Sequence, residues 1–82
     1  MTTRNYQTLI NVYLERGNDR GVVRVRKYGR GKYTLYTKKY NVATRVTTHR
    51  SLNEFTSKVE VVGWANKFIE TAKKYGAVAV AR

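Results

Sequence analysis

Residues 21–40, GVVRVRKYGRGKYTLYTKKY, constrain the fold of this chain more than any other segment. On both sides of the central GRG, apolar side chains alternate with cationic or polar ones, which is the period of a strand that buries one face. The glycines of GRG suit a three-residue hairpin loop because glycine readily adopts left-handed backbone conformations. Counting outward from this loop pairs Val25 with Leu35 and Arg24 with Tyr36. The segment therefore predicts a β-hairpin with one apolar face and one basic, aromatic face.

Strands are also predicted before and after this hairpin. In residues 6–14, the apolar positions alternate with polar ones, and the turn residues GNDRG follow at 17–21. The apolar positions of 6–14 also fit a short helix, which stays an alternative. A fourth strand is expected at about 42–49. In the register that keeps charge out of the core, Leu35 lies opposite Val46 and Tyr36 lies opposite Arg45.

A C-terminal helix is predicted over about residues 52–75. SLNE at 51–54 has the form of a capping box, and apolar side chains recur after it at spacings of three and four. Two lysines and Gly76 then suit the end of a helix. A break or kink near Gly63 and a short strand at KVEVV (58–62) are alternatives, because glycine and the neighbouring valines weaken a helix. The tail at 77–82 either adds an edge strand or trails from the helix.

The charge of the chain is concentrated in its middle. Seventeen Lys and Arg against five Asp and Glu give a net charge of +12, and ten of the cations lie in residues 20–50, which contain no acid. A solvated protein surface usually mixes both signs, so a basic block of this kind favours a polyanionic partner. Cations neutralise phosphates and aromatic rings stack on bases or sugars, so their interleaving favours nucleic acid. The candidate nucleic-acid-binding residues are Arg24, Arg26, Tyr28, Arg30, Lys32, Tyr36, Lys38, Arg45 and His49.

The sequence offers little for catalysis or for a cofactor. It has no cysteine and none of the glycine-rich, HExxH or CxxC signatures of nucleotide and metal sites, so neither a cofactor nor a metal is expected. The expected protein is not an enzyme. An alternative is a small ribonuclease with His49 as general base, helped by Glu54 and by cations such as Lys32. The sequence shows neither a signal peptide nor a membrane span, so we expect a cytoplasmic protein, nucleoid-associated if it binds DNA, without a membrane partner.

The element order and charge of residues 21–70 resemble two families of small DNA-binding domains. These are the sheet-reading domains of APETALA-type plant transcription factors and the arm-binding N-terminal domains of tyrosine recombinases. Both place a three-stranded antiparallel sheet before a helix, and the resemblance implies a sheet that enters the major groove of DNA. The glycine-aromatic-threonine run of the plant family is absent, because HRSLNEFTSKVEVV occupies its place.

The sequence as a whole predicts a single α+β domain over residues 1–82. A three- to four-stranded antiparallel sheet, a meander over about 6–49, packs one face on one C-terminal helix. The other face is expected to bind nucleic acid, DNA more readily than RNA. The alternative function is a protein-binding effector or inhibitor whose basic face docks on an acidic protein or on a nucleic-acid-handling complex. A homodimer is a further expectation, through the helical side chains Val61, Trp64, Phe68 and Tyr75.

Overall fold

One antiparallel sheet and one helix make up residues 6–81, the part of the chain that the computed structural model describes. The sheet has five strands in the order β4-β3-β2-β1-β5, and the helix packs on one of its faces. The predicted α+β class is therefore confirmed, with one strand more than expected because the C-terminal tail pairs with β1. The elements are β1 (Gln7–Arg16), β2 (Asp19–Lys27), β3 (Tyr33–Asn41), β4 (Val46–Phe55), α1 (Lys58–Lys74) and β5 (Val78–Val80).

The central hairpin of β2 and β3 has the predicted register. Val25 lies opposite Leu35, and Arg24 lies opposite Tyr36. The backbone N–H of Tyr28 donates to the carbonyl of Lys32 at 2.8 Å and closes the GRG loop, whose two glycines both have positive φ. Glycine removes the steric cost of these conformations, so the loop length fixes the pairing of both strands.

The first hairpin turns more tightly than the GNDRG segment indicates. Gln7–Arg16 is a strand rather than a short helix, and it joins β2 through a two-residue turn at Gly17 and Asn18. Gly17 has φ 58°, and Arg16 lies opposite Asp19. The strand β2 therefore begins three residues earlier than the position expected from that segment.

The predicted fourth strand is present, but its predicted bounds and register are wrong. The strand β4 begins at Val46, and it places Asn53 opposite Leu35 and Leu52 opposite Tyr36. Residues 42–45 form the turn, because β3 continues to Asn41 and the side chain of Asn41 then stabilises a reversal. Its Oδ1 accepts hydrogen bonds from the backbone N–H groups of residues 43 and 44 at 2.9 and 3.0 Å.

The predicted start of the helix is also wrong. Residues 51–54, the expected capping box, lie in β4. The helix begins at Lys58, and the Ser57 hydroxyl accepts from the backbone N–H of Glu60 at 3.3 Å. SKVE at 57–60 therefore caps the N-terminus of the helix. The helix α1 continues without a break through Gly63.

The end of the helix follows the prediction. Lys73 and Lys74 occupy its last turn, and Gly76 has φ 97°. The N–H groups of Gly76 and Ala77 donate to carbonyls of the last helical turn at 3.0 Å each. This cap turns the chain back towards the sheet, where β5 pairs with β1.

A small core fills the space between the sheet and α1. Val25 and Val61 are completely buried and lie at its centre. The buried apolar side chains are Leu14, Val23, Val25, Tyr33, Leu35, Val61 and Ala65. Every β2 and β3 member of this core occupies the strand face predicted to be apolar, and no helix of residues 6–81 packs on the opposite face of the sheet. The helix α1 is neither long nor apolar enough to cross a membrane.

Candidate nucleic-acid interface

The face of the sheet opposite α1, called the outer face below, gathers cations and tyrosines from four strands. Side chains alternate between the two faces of a strand, so the core positions fix which side chains point outward. The outward cations are Arg20, Arg24, Arg26, Lys38 and Arg50, and the outward tyrosines of the strands are Tyr13, Tyr36 and Tyr40. The acids on this face are Glu15 and Glu54, on the two strands that flank β2 and β3.

Arg24 lies at the centre of the outer face and is held from both sides. Its guanidinium lies 5.6 Å from the centre of the Tyr36 ring on β3. Its Nε donates to the Oδ1 of Asn11 on β1 at 3.2 Å. A cross-strand row of Asn11, Arg24, Tyr36 and Leu52 therefore runs over four strands, and it orients the guanidinium along the sheet surface.

A second cluster lies beside the GRG loop. The Arg26 guanidinium lies 4.3 Å from the centre of the Tyr6 ring, and the rings of Tyr6 and Tyr28 are 5.4 Å apart with their planes tilted by 43°. The Nε of Arg26 is buried and has no hydrogen-bond partner among residues 6–81. Arg30 and Lys32 extend this cluster at the exposed tip of the hairpin. The tip thus combines cations with aromatic rings.

The opposite half of the outer face brings two cations together. Lys38 on β3 lies directly opposite Arg50 on β4, and the Lys38 ammonium is 5.2 Å from the centre of the Tyr40 ring. Like charges on neighbouring strands repel each other and destabilise the pairing. Arg20, farther along the sheet, is instead neutralised locally, since its Nε lies 3.7 Å from a carboxylate oxygen of Glu15. An anion bound between Lys38 and Arg50 would relieve their repulsion.

The nine candidate residues do not all lie on this surface. Arg24, Arg26, Tyr36 and Lys38 lie on the outer face, and Tyr28, Arg30 and Lys32 lie at or next to the hairpin tip. Arg45 does not lie beside Tyr36, because it falls in the turn before β4, with φ 59°, at the other end of the sheet. Leu52 occupies the place predicted for Arg45.

His49 lies on the helix side of the sheet. Its Nε2 is 3.0 Å from the Oγ1 of Thr37, a buried polar residue next to the core. Glu54 is five positions away on the same strand and faces the other side, and Lys32 is at the opposite end of the hairpin. The structure therefore does not bring together the three side chains that the ribonuclease alternative requires.

The structure adds two residues to the site that the sequence alone does not indicate as candidates. Arg50 reaches the outer face because β4 is shifted by seven residues from the predicted register, so its place depends on the turn at 42–45. Tyr6 precedes β1 and contacts Arg26 through its ring. The period-2 pattern of β1 could have indicated Tyr6, because it shares the parity of Thr8, which lies opposite Arg26.

The helix side carries a separate apolar surface. Trp64, Phe68 and Tyr75 are 45%, 44% and 65% exposed and form a stripe along α1. Phe68 and Tyr75 line a cleft of about 460 Å³ between the C-terminal half of the helix, the end of β1 and the start of β2. Val61, a predicted member of the same association surface, is completely buried in the core and is not available for contacts.

Comparison with known proteins does not identify a family for this chain. The chain matches no known protein-family model, no curated protein and no solved structure. Within residues 6–81, no group of His, Asp or Glu side chains could hold a metal ion.

Proposed function

We propose that this protein binds nucleic acid, DNA in preference to RNA, through the outer face and the tip of the β2–β3 hairpin. The observation that carries the proposal is the juxtaposition of Lys38 and Arg50 across two strands, one row from the Arg24–Tyr36 pair. A surface that only needed solvation would place acids between these cations. Phosphates spaced along a nucleic acid backbone would instead neutralise them together, and release of condensed counterions would drive binding.

The dimensions of the sheet favour DNA and suggest how it is engaged. Five strands span about 19 Å, which is wider than the roughly 12 Å major groove of B-form DNA. The two-stranded tip fits that groove, whereas the major groove of double-stranded RNA is too narrow for it. In the proposed complex, Arg30 and Tyr28 reach into the groove from the tip. Arg24, Lys38 and Arg50 then follow the adjacent backbone.

A salt titration of DNA binding tests this function directly. If about four to six phosphates are neutralised, log K should fall with log salt at a slope of about −3.5 to −5.5 on duplex DNA. Duplex DNA, single-stranded DNA and double-stranded RNA of equal length are compared by fluorescence anisotropy across the same salt series. A slope near zero, or no binding of duplex DNA at about 100 mM salt, contradicts the proposal.

Two variants of equal charge separate the outer face from net charge. The substitutions Arg24→Gln and Lys38→Gln remove two outward cations, and Lys58→Gln and Lys67→Gln remove two exposed cations of α1. The first pair should weaken duplex binding strongly and reduce the salt slope by about 2, because two phosphate contacts are lost. The second pair should leave the slope unchanged. Equal losses in both variants would show that the outer face is not the binding surface.

The exposed aromatic stripe favours a second candidate function, a module that docks on an acidic protein. Trp64, Phe68 and Tyr75 supply an apolar surface on the helix side, and the cations of the outer face supply charge complementarity on the other side of the sheet. Polyglutamate and duplex DNA at equal ionic strength distinguish the two functions. The docking module should bind polyglutamate at least as well as DNA, because its partner is recognised through carboxylates. The nucleic-acid-binding protein should prefer DNA.

A further inference from the structure

Within residues 6–81, the strand β4 forms an open edge of the sheet. It has ten residues and is paired with β3 on one side, whereas β5 at the other edge has three. An unpaired strand presents backbone N–H and C=O groups that can pair with another chain. Natural edges are usually blunted by shortness, proline or lysine, and the chain contains no proline. The segment Arg50–Glu54 has no lysine, and the bulge of β4 lies outside it.

The alternation of hydrogen-bonded pairs across the sheet identifies which backbone groups of β4 are free. The bond from the N–H of Tyr28 to the carbonyl of Lys32 makes that pair a hydrogen-bonded pair, and hydrogen-bonded pairs alternate along an antiparallel ladder. The backbone groups of even-numbered β3 residues therefore form hydrogen bonds with β2, and those of odd-numbered β3 residues form hydrogen bonds with β4. Asn53 on β4 lies opposite Leu35, so the backbone groups of the odd-numbered β4 residues form hydrogen bonds with β3. The backbone groups of Arg50, Leu52 and Glu54 point away from the sheet.

The side chains of this segment are complementary to a second copy of themselves. We propose that two copies of the chain pair antiparallel along β4, with the two-fold axis at Leu52. In this register Leu52 of one copy lies opposite Leu52 of the other, and Arg50 lies opposite Glu54 on both sides of the axis. The outward backbone groups of these three positions can form about six hydrogen bonds across the interface. The Leu52 side chain, 64% exposed in the single chain, is covered by its counterpart.

The charges select this register over its neighbours. A shift by one pairing step places Leu52 opposite Arg50 or opposite Glu54, and both ion pairs are lost. A further step places Arg50 opposite Arg50, or Glu54 opposite Glu54, which is repulsive. Within a single chain Arg50 faces Lys38, so the second copy supplies the carboxylate that Arg50 lacks across the sheet.

The pairing joins the two outer faces into one surface. Residues opposite each other in an antiparallel pair project to the same side of the sheet, so both outer faces lie on the same side of a ten-stranded sheet. The inference does not depend on nucleic-acid binding, and dimerisation is measured without nucleic acid. The proposed function and the dimer can therefore fail separately.

Charge reversal at the two ends of the pair tests the dimer and its register together. Sedimentation velocity at ~100 µM protein and ~150 mM salt suits an interface of this limited area. The unmodified chain should sediment as a dimer. Arg50→Glu and Glu54→Arg each place like charges opposite each other twice, so each variant alone should raise the dissociation constant about tenfold or more. An equimolar mixture of the two variants should form a heterodimer, because each Glu then faces an Arg.

The two variants also distinguish a specific interface from a general effect of net charge or of misfolding. Arg50→Glu lowers the net charge and Glu54→Arg raises it, so an effect of net charge alone would shift the dissociation constants in opposite directions. Circular dichroism shows that each variant is folded, and dimerisation of the mixture confirms that both can pair. A monomeric unmodified chain at ~100 µM, a dimer that persists in both single variants, or a mixture that stays monomeric would overturn the proposal.

Discussion

Tyr33 and Tyr36 show how one residue type takes two roles on the same strand. They are three positions apart on β3, so their side chains lie on opposite faces of the sheet. Tyr33 is 8% exposed and belongs to the core, whereas Tyr36 lies on the outer face under the guanidinium of Arg24. The first ring contributes buried apolar area, and the second contributes a surface on which a base or a sugar can stack.

Alanine substitutions at these two tyrosines should separate stability from binding. Tyr33→Ala should lower the free energy of unfolding by about 3 kcal/mol, because it opens a cavity in a small core. Tyr36→Ala should lower it by less than about 1 kcal/mol, since only an exposed cross-strand and cation–π contact is lost. Urea unfolding measures the first effect, and DNA anisotropy measures the expected loss of binding in Tyr36→Ala. Equal destabilisation by the two substitutions would contradict the assignment of the faces.

Two segments, SLNE at 51–54 and SKVE at 57–60, have the S-x-x-E pattern of a helix cap. Their structural surroundings determine which one caps α1. SLNE lies where β3 offers an unpaired edge, so its backbone groups are satisfied by strand pairing in β4. SKVE follows the end of β4, and there the Ser57 hydroxyl accepts from the N–H of Glu60. The choice depends on a partner strand distant in the sequence, which a local motif does not contain.

Removal of each serine hydroxyl should show which segment caps the helix. Ser57→Ala should lower the free energy of unfolding by about 1 kcal/mol, because the first turn of α1 loses its cap. Ser51→Ala should cost much less, since the Ser51 hydroxyl accepts a hydrogen bond from the Asn53 side chain within β4 and caps no helix. Thermal unfolding of both variants followed by circular dichroism gives the comparison. A larger cost for Ser51→Ala would mean that SLNE, and not SKVE, stabilises the start of the helix.

The elements differ in how far the sequence determines them. The β2–β3 hairpin could be predicted to the residue pair, because two glycines fix its loop and the apolar alternation fixes its faces. The strand β4 could not, because Val46 and Leu52 are exposed and only Phe55 packs against the core, so neither face carries a buried apolar row. With no such row, the hydrophobic pattern does not specify the register. The same difference applies to the residues of the outer face. The position of Arg24 beside Tyr36 is predictable from the sequence, and that of Arg50 is not.

At the scale of the whole molecule, repulsion between the cations destabilises the fold that the buried core stabilises. Seven apolar side chains of residues 6–81 are buried, and the chain carries a net charge of +12. Self-repulsion destabilises a compact state, and the outer face adds local repulsion where Lys38 faces Arg50. The stability of the free protein should therefore depend on screening by salt, and a bound polyanion should increase it.

Sodium chloride should stabilise the fold while it weakens nucleic-acid binding. Between about 20 mM and about 500 mM salt, screening shortens the range of repulsion from roughly 20 Å to a few ångströms. We expect a gain of about 1 kcal/mol in the free energy of unfolding, which for a domain of this size raises the melting temperature by about 4–8 °C. Differential scanning calorimetry of the free protein measures this shift. The binding constant for duplex DNA should fall steeply over the same range of salt.

The variant with Arg24→Gln and Lys38→Gln provides the control for that prediction. Loss of two cations from the crowded face should raise the melting temperature at low salt and reduce its dependence on salt. The variant with Lys58→Gln and Lys67→Gln has the same net charge but should retain most of that dependence, because its cations lie apart on α1. If repulsion on the outer face limits stability, the two curves converge only at high salt. Curves that coincide at every concentration would assign the effect to net charge alone.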